Sequence, residues 1–512
     1  MIAATITDQE FTELVSDRAK YLLLVANHFP RQQLHNGVVT RPLLGRLMLQ
    51  SIEMQELLDS YGARNNRRWR RFRDMVATIK QFSSIGYELL HIQHALPSYD
   101  LLLDMGRVEA ATEEALAFVS FVLLRACAEL MELAQDLELL ILEDHTDTGI
   151  YDEALPMGRL PHDLETRKVE NVYETITLLA TEFLNLAQRS RVLTHVKMPS
   201  FDECDHYYSD TVNQESLRRL CEQFHNLQSL YDTYVSDTEA ENLDHDLILL
   251  RGHISLVLHL LSIAAQLSQH YEQYVRKSDD MQGWEPDIVE GDEILHILID
   301  YTISYASDYT RAAKVLCQSM LKRYTEVAEI EVSIPVYRGF HVRPSTLVSS
   351  IVMHYGTEVK MQLDTEVVNA GVPLEMFRIN EKINANKRRL LTYCISQLHL
   401  PTDPMDQEQI RQTIQTVIME LAQTGFVVIY QHPLELTHEA GHEDDLLLKC
   451  IVNEIARLLA QAKIDIRTEM TVKFIGDRRV LEDIRLLAEA GYGEDRFGNN
   501  IPLPEKLAYL RH

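Results

Sequence analysis

The stretch Ile334-Pro335-Val336-Tyr337-Arg338-Gly339-Phe340-His341-Val342-Arg343-Pro344-Ser345-Thr346 carries the strongest chemical signal in the chain. Leading into it, Ile330, Val332, Ile334 and Val336 alternate at the period of a half-buried strand. Leading out, Leu347, Val348, Ile351 and Val352 form the apolar stripe of a helix over Pro344 to Tyr355, with Gly356 as its C-terminal stop. Proline is tolerated at a helix's first position because its missing N–H has no intrahelical job there. His341 therefore lies at a helix mouth, where unpaired amides and the positive dipole end stabilise an anion carried on the imidazole. Arg343 can add a charge-assisted bond, and a phosphoryl group is the natural candidate.

Further along, Val359, Met361 and Leu363 alternate as a second strand. Residues Leu374 to Gln397 and Gln407 to Gln423 read as helices, Phe426 to Tyr430 as a strand, and Asp444 to Ala462 as an amphipathic helix. Another strand follows around Thr471 to Phe474, then a helix from Arg478 to Ala490 and the tail Gly491-Tyr492-Gly493-Glu494-Asp495-Arg496-Phe497-Gly498, which suggests no function. Mixed strands and helices point to an α+β sandwich over 329–475, with 476–512 as a C-terminal helix and tail.

On these residues the region resembles HPr, the histidine-containing phosphocarrier of the sugar phosphotransferase system. Gly339-Phe340-His341-Val342-Arg343-Pro344 looks like that family's phosphorylation motif, and Val368-Asn369 precedes a helix in a comparable place. Gly425 to Tyr430 and Asp444 to Ala462 look like its last strand and last helix. The resemblance implies an open-faced α+β sandwich in which His341 accepts phosphate from a phosphoenolpyruvate-dependent kinase and passes it to an acceptor protein. By the same resemblance Arg343 contacts the phosphoryl group, the amides of Val342 and Arg343 bind its oxygens, and Gly339, Pro344 and Ser345 complete the site. A neutral imidazole is a competent nucleophile, and phosphoryl transfer needs mainly positioning and charge stabilisation.

Two departures stand out. A helical insertion near 378–424, with the basic run Lys387-Arg388-Arg389, interrupts a stretch that the compact family crosses with one helix and a short loop. Many members also carry a regulatory serine before the second helix, yet Glu366 to Leu391 contain no Ser or Thr.

Residues 1–328 read as a large all-α region. Its first helix opens with a capping box, Thr7 three residues before Glu10. Others are expected over Pro42–Ser60, Trp69–His94, Glu109–Leu142, Asp163–Arg191, Gln214–Ser236, Asp244–Lys277 and Asp292–Tyr324, a helical bundle that can divide in two near 144–162. The polar loops 144–162, 197–210 and 278–291 punctuate it. In Asp244–Lys277 the apolar residues cover too many faces for a surface helix, so this helix is expected at the centre.

At 512 residues the chain exceeds what one core supports, so two or three domains are expected. A net charge of -28 repels polyanions and argues against nucleic acid or an anionic membrane as partner. Cys127, Cys204, Cys221, Cys317, Cys394 and Cys450 show no close-pair spacing, which fits a reducing cytoplasm and neither disulfides nor a zinc knuckle. Polar residues are expected to interrupt every apolar stretch before it reaches membrane-spanning length, so no membrane insertion is expected. No cofactor or metal is called for, and a homo-oligomer is compatible with the sequence.

The remaining signals have plain readings. Arg64, Arg67, Arg68, Arg70, Arg71 and Arg73, interleaved with Trp69 and Phe72, read as a helix face paired with acids in so acidic a protein. His253 and His259 lie on different helix faces and are expected to be packing residues. Glu143 to Gly149 misses calcium-loop spacing and reads as a turn. Three functions follow in order: a phosphocarrier or phosphorelay protein using His341, a non-phosphorylated docking scaffold with the same surface, and a helical enzyme or ligand-binding protein.

Overall fold

The computed structural model describes residues 5–36, 39–141, 167–168, 171–190, 192–194, 212–275, 288–398, 400, 406–431, 433–436 and 447–511. Cys204, the Glu143 to Gly149 turn, the 144–162 division and the 197–210 loop lie outside these residues, as does most of the 278–291 loop. The chain is mostly helical, with a small antiparallel sheet region towards the C-terminus. It separates into two compact units, Met1–Met320 and Leu321–His512.

In the first unit the long described helices are α1 (Asp8–Asn36), α2 (Arg41–Ser60), α3 (Arg70–Ala95), α4 (Met105–Asp136), α5 (Val172–Arg189), α6 (Gln214–Tyr234), α7 (His245–His270) and α8 (Ser304–Tyr324), the last running into the second unit. Their starts are set by local chemistry. Thr7 and Glu10 exchange the two bonds of a capping box, Thr40 caps α2, and Asn213 with Ser216 caps α6. Helix α4 begins before the expected Glu109 because Asp104 accepts from the Gly106 amide. Helix α3 packs on α2 and α4, and α7 on α3 and α6. The apolar residues of α7 are buried almost all round. Together with the π-helical turn Tyr271–Val275, α7 is long and apolar enough to cross a membrane, contrary to the sequence expectation. In the fold, 72% of its apolar window is buried within the protein.

The second unit contains β1 (Val327–Ser333), α9 (Val342–Tyr355), β2 (Val359–Leu363), β3 (Glu366–Asn369), α10 (Pro373–Ser396), α11 (Gln407–Gln423), β4 (Val427–Ile429), α12 (Leu447–Ala460), β5 (Ile464–Ile466), β6 (Thr471–Asp477) and α13 (Arg478–Glu489). A four-stranded sheet runs β1-β6-β2-β3, with every neighbouring pair antiparallel. One face carries Ile330, Val332, Val359, Met361, Val368, Val472 and Phe474 into a core shared with α9, α13 and the first half of α10. The other face stays polar, with Lys473 bonded to Glu329 across strands at 2.9 Å. The result is an α+β layer with one covered face.

The last strand and last helix differ from expectation. Phe426 to Tyr430 contributes β4, which pairs with β5 in a separate two-stranded sheet. Asp444 to Ala462 contributes α12, which packs in a second core with α11 and the second half of α10, around Leu391, Ile395, Ile418 and Ile451. The four-stranded sheet is instead completed by β6, and α13 buries Val480, Leu481, Ile484 and Leu487 against it. The segment inserted between α10 and β6 is therefore 397–470 and forms its own layer, longer than the expected 378–424. The C-terminal helix belongs to the sheet's core and is not a separate appendage.

Candidate functional site

Strand β1 ends at Ser333, and the chain then turns through Tyr337, Arg338 and Gly339 before α9. Arg338 and Gly339 have φ of 55° and 63°, consecutive left-handed residues that reverse the chain and lift His341 onto the start of the helix. Several groups hold this turn. The Arg338 amide donates to Asp465 Oδ2 at 2.9 Å, Asn380 Nδ2 donates to the Arg338 carbonyl at 3.2 Å, and the His341 amide donates to the Gly339 carbonyl at 2.8 Å. Asp465 comes from β5 in the inserted layer and also accepts from Lys387 Nζ at 2.7 Å, both side chains being almost fully buried. Phe340 points inward and packs edge-on against Phe474 and Tyr492.

The helix starts at Val342, two residues earlier than expected, so Pro344 is its third residue and still sits where no intrahelical donor is needed. His341 is the N-cap residue, with extended backbone and no side-chain cap bond. Ser345 N–H makes the first intrahelical bond, to the His341 carbonyl at 3.2 Å. The amides of Val342 and Arg343 precede that bond and have no acceptor among the described residues. Ser345 is fully buried, and its hydroxyl donates to the Phe340 carbonyl at 3.0 Å, so it braces the turn. At the other end Gly356, with φ 67°, closes α9 as expected.

The imidazole is partly covered, its side chain 22% exposed. Nδ1 lies 3.1 Å from the Gly339 carbonyl oxygen, which can only accept, so Nδ1 carries a proton in that contact. Tyr337 stands edge-on to the ring at 5.4 Å and touches Tyr430 in turn. Burial and the nearby Asp465 push the Tyr430 phenol far up, so it stays neutral. Nε2 faces Glu494 Oε2 at 3.3 Å. The same carboxylate places Oε1 3.8 Å from Arg343 Nε, while Arg343 Nη1 donates to Asn500.

The structure thus brings Gly339, His341, Val342, Arg343, Pro344 and Ser345 together at one helix mouth. Sequence reasoning missed Glu494, Asn500, Tyr337, Asn380 and Asp465. Only the glycine-flanked tail around Glu494 offered a signal, as glycines mark backbone that must turn sharply.

Other candidates resolve into packing. His253 is fully buried, with Nδ1 2.8 Å from the Leu249 carbonyl, and His259 pairs with Glu88 at 2.8 Å. Among the arginines, Arg73 makes a bidentate pair with Asp59 at 2.7 and 2.9 Å, Arg71 pairs with Glu129, and Trp69 and Phe72 are core residues. A cleft on the helical unit is lined in part by glutamines, Gln55, Gln81, Gln266, Gln269 and Gln273, with Lys80 beside them. Among the described residues no group of His, Cys, Asp and Glu could hold a metal ion. Compared with known proteins, the chain matches no family model, no curated protein and no solved structure.

Proposed function

We propose that this chain is a phosphocarrier or phosphorelay protein of the HPr kind, accepting a phosphoryl group on His341 from a phosphotransferase-type kinase and handing it to an acceptor protein. The observation that carries the reading is the arrangement at the mouth of α9. A histidine N-cap makes no side-chain cap bond, two first-turn amides have no acceptor among the described residues, and a guanidinium stands beside them. Such a mouth suits a dianion, because aligned amides, helix dipole and Arg343 all favour negative charge without rearrangement. The one-faced sandwich, with strand, turn, histidine and helix in the expected order, supports the same reading. The helical unit would then supply partner binding or regulation.

A second reading is favoured by one observation, the Glu494 carboxylate beside Nε2. If that contact is permanent, the surface docks partners without taking phosphate.

Incubation with phosphoenolpyruvate and the general phosphotransferase kinase, followed by peptide mapping of acid-labile phosphate, separates the two. The expected product is phosphate on the His341 peptide, lost in His341→Ala. Incorporation that continues unchanged in His341→Ala rejects the site, and none with any donor leaves the docking surface.

A further inference from the structure

The apolar helix α7 carries a stripe of glutamines at its C-terminal end. Gln266, Gln269 and Gln273 follow one another at spacings of three and four residues, the last of them in the π-helical turn Tyr271–Val275. Turns of this kind are rare and recur at functional sites. All three glutamines line a cleft of about 280 Å³, whose other walls include Met48, Ile52 and Gln55 of α2 and Ala77, Lys80 and Ser84 of α3. That volume lies at the small end of ligand pockets, which begin near about 300 Å³, and suits a molecule the size of one sugar. No Asp or Glu lines the cleft among the described residues, although the chain has 77 acidic residues and a net charge of -28. An anion therefore meets less repulsion here than over most of the surface.

Lys80 is half-buried and makes no hydrogen bond or salt bridge among the described residues. Burial and the neighbouring Arg73 lower its pKa, so its ammonium gains from a counter-anion. Glu56 and Asp59 attract it only at longer range, and Asp59 is already paired with Arg73 at 2.7 and 2.9 Å. The side-chain amides of Gln266, Gln269 and Gln273 and the Ser84 hydroxyl likewise make no hydrogen bond among the described residues, and Gln55 Oε1 is a buried acceptor without a partner. The frame behind these groups is fixed. Gln81 Nε2 donates to the Gln266 carbonyl at 2.5 Å and ties α3 to α7, while Arg73 Nη1 donates to the Tyr274 hydroxyl at 2.8 Å. The Tyr274 ring stacks on His270 at 5.0 Å.

We propose that this cleft binds a small sugar acid, with its single carboxylate on Lys80 and its hydroxyls on the glutamine amides. An amide offers a donor and an acceptor side by side, as a sugar hydroxyl does, so the two pair in either sense. Met48, Ile52 and Ala77 supply apolar surface for the C–H face of the ring. One ammonium balances one negative charge, whereas a phosphate dianion would leave its second charge unpaired. The ligand would touch α2, α3 and α7 together and so stabilise the helical unit. The inference goes beyond the phosphocarrier reading and does not depend on the chemistry at His341.

The test titrates the full chain by calorimetry with glucuronate, galacturonate and gluconate, and in parallel with glucose, glucose 6-phosphate and acetate, recording a melting curve with each. At least one of the three sugar acids is expected to bind and to raise the melting temperature. Glucose and acetate each keep only part of the contacts and are expected to bind at least about tenfold more weakly. Lys80→Gln removes the charge while keeping a polar side chain, and is expected to weaken the sugar acid about tenfold and leave glucose unchanged. Gln269→Glu sets a like charge against the carboxylate and is expected to weaken it by at least as much, which serves where Lys80→Gln folds poorly. Binding of none of the three acids overturns the proposal, as does glucose binding as tightly as they do. Unchanged affinity in both folded variants overturns it too, and tighter binding of glucose 6-phosphate overturns the carboxylate assignment. None of these outcomes bears on phosphorylation of His341.

Discussion

Asp465 shows how the inserted layer, which also places Tyr430 against Tyr337, braces the histidine turn. One oxygen accepts from Lys387 and from its neighbour's Ile466 amide, both at 2.7 Å, and the other from the Arg338 amide at 2.9 Å. A buried carboxylate satisfied this fully holds the left-handed turn that places the Gly339 carbonyl under His341 Nδ1. Removing one partner of a buried ion pair leaves the other charge uncompensated, which typically costs about 3–5 kcal/mol. Lys387→Met is therefore expected to destabilise the C-terminal unit by that amount, read as a fall in its urea midpoint, whereas a change below about 1 kcal/mol would mean that water reaches Asp465. His341 and Arg343 were legible in the sequence because their chemistry lies within three residues of one helix start. Asp465 and Glu494 were not, because each meets the motif only through folding; the glycines around Glu494 mark a sharp turn but do not tie that one carboxylate, among 77 acidic residues, to His341.

At the scale of elements, legibility followed the range of the interaction. Helix ends are local: Thr7, Asp406 and Gly356 each act on residues within four positions, and each terminus lies within a few residues of where the sequence places it. Strand pairing is not local. Both β4 with α12 and β6 with α13 read as a short apolar strand followed by an amphipathic helix, so periodicity alone cannot say which strand joins the main sheet. The choice was made by pairing, where seven residues of β6 match β1 while three of β4 match β5. The local part is open to a direct check. Gly356 ends α9 at φ 67°, a conformation that costs a residue with a Cβ roughly 1 kcal/mol. Gly356→Ala should lower the stability of the unit by about that much in urea denaturation, and a neutral result would show that α9 ends by other means.

For the molecule as a whole, acidity and buried histidines pull stability in opposite directions as pH changes. With a net charge of -28 the folded chain repels itself, and protonating carboxylates relieves that repulsion as pH falls. His253 works the other way. It is fully buried on α7, with Nδ1–H donated to the Leu249 carbonyl and Nε2 accepting from the Leu102 amide at 3.5 Å, an arrangement that only the neutral ring satisfies. Burial accordingly lowers its pKa below the ordinary 6.5, and burial together with the neighbouring His259 does the same to His91. Well above pH 6.5 these rings are neutral in both folded and unfolded chains and contribute no pH dependence. Below it the unfolded chain binds protons that the folded chain refuses, so stability falls until the lowered folded pKa is reached. The histidines' share of the helical unit's stability, followed through the urea midpoint, should therefore fall between pH 7 and pH 5.5. Because self-repulsion changes in both proteins alike, comparison with His253→Gln isolates the histidine's share: the variant starts less stable but loses less over that interval. Equal losses in the two proteins would mean that His253 takes up its proton within the fold.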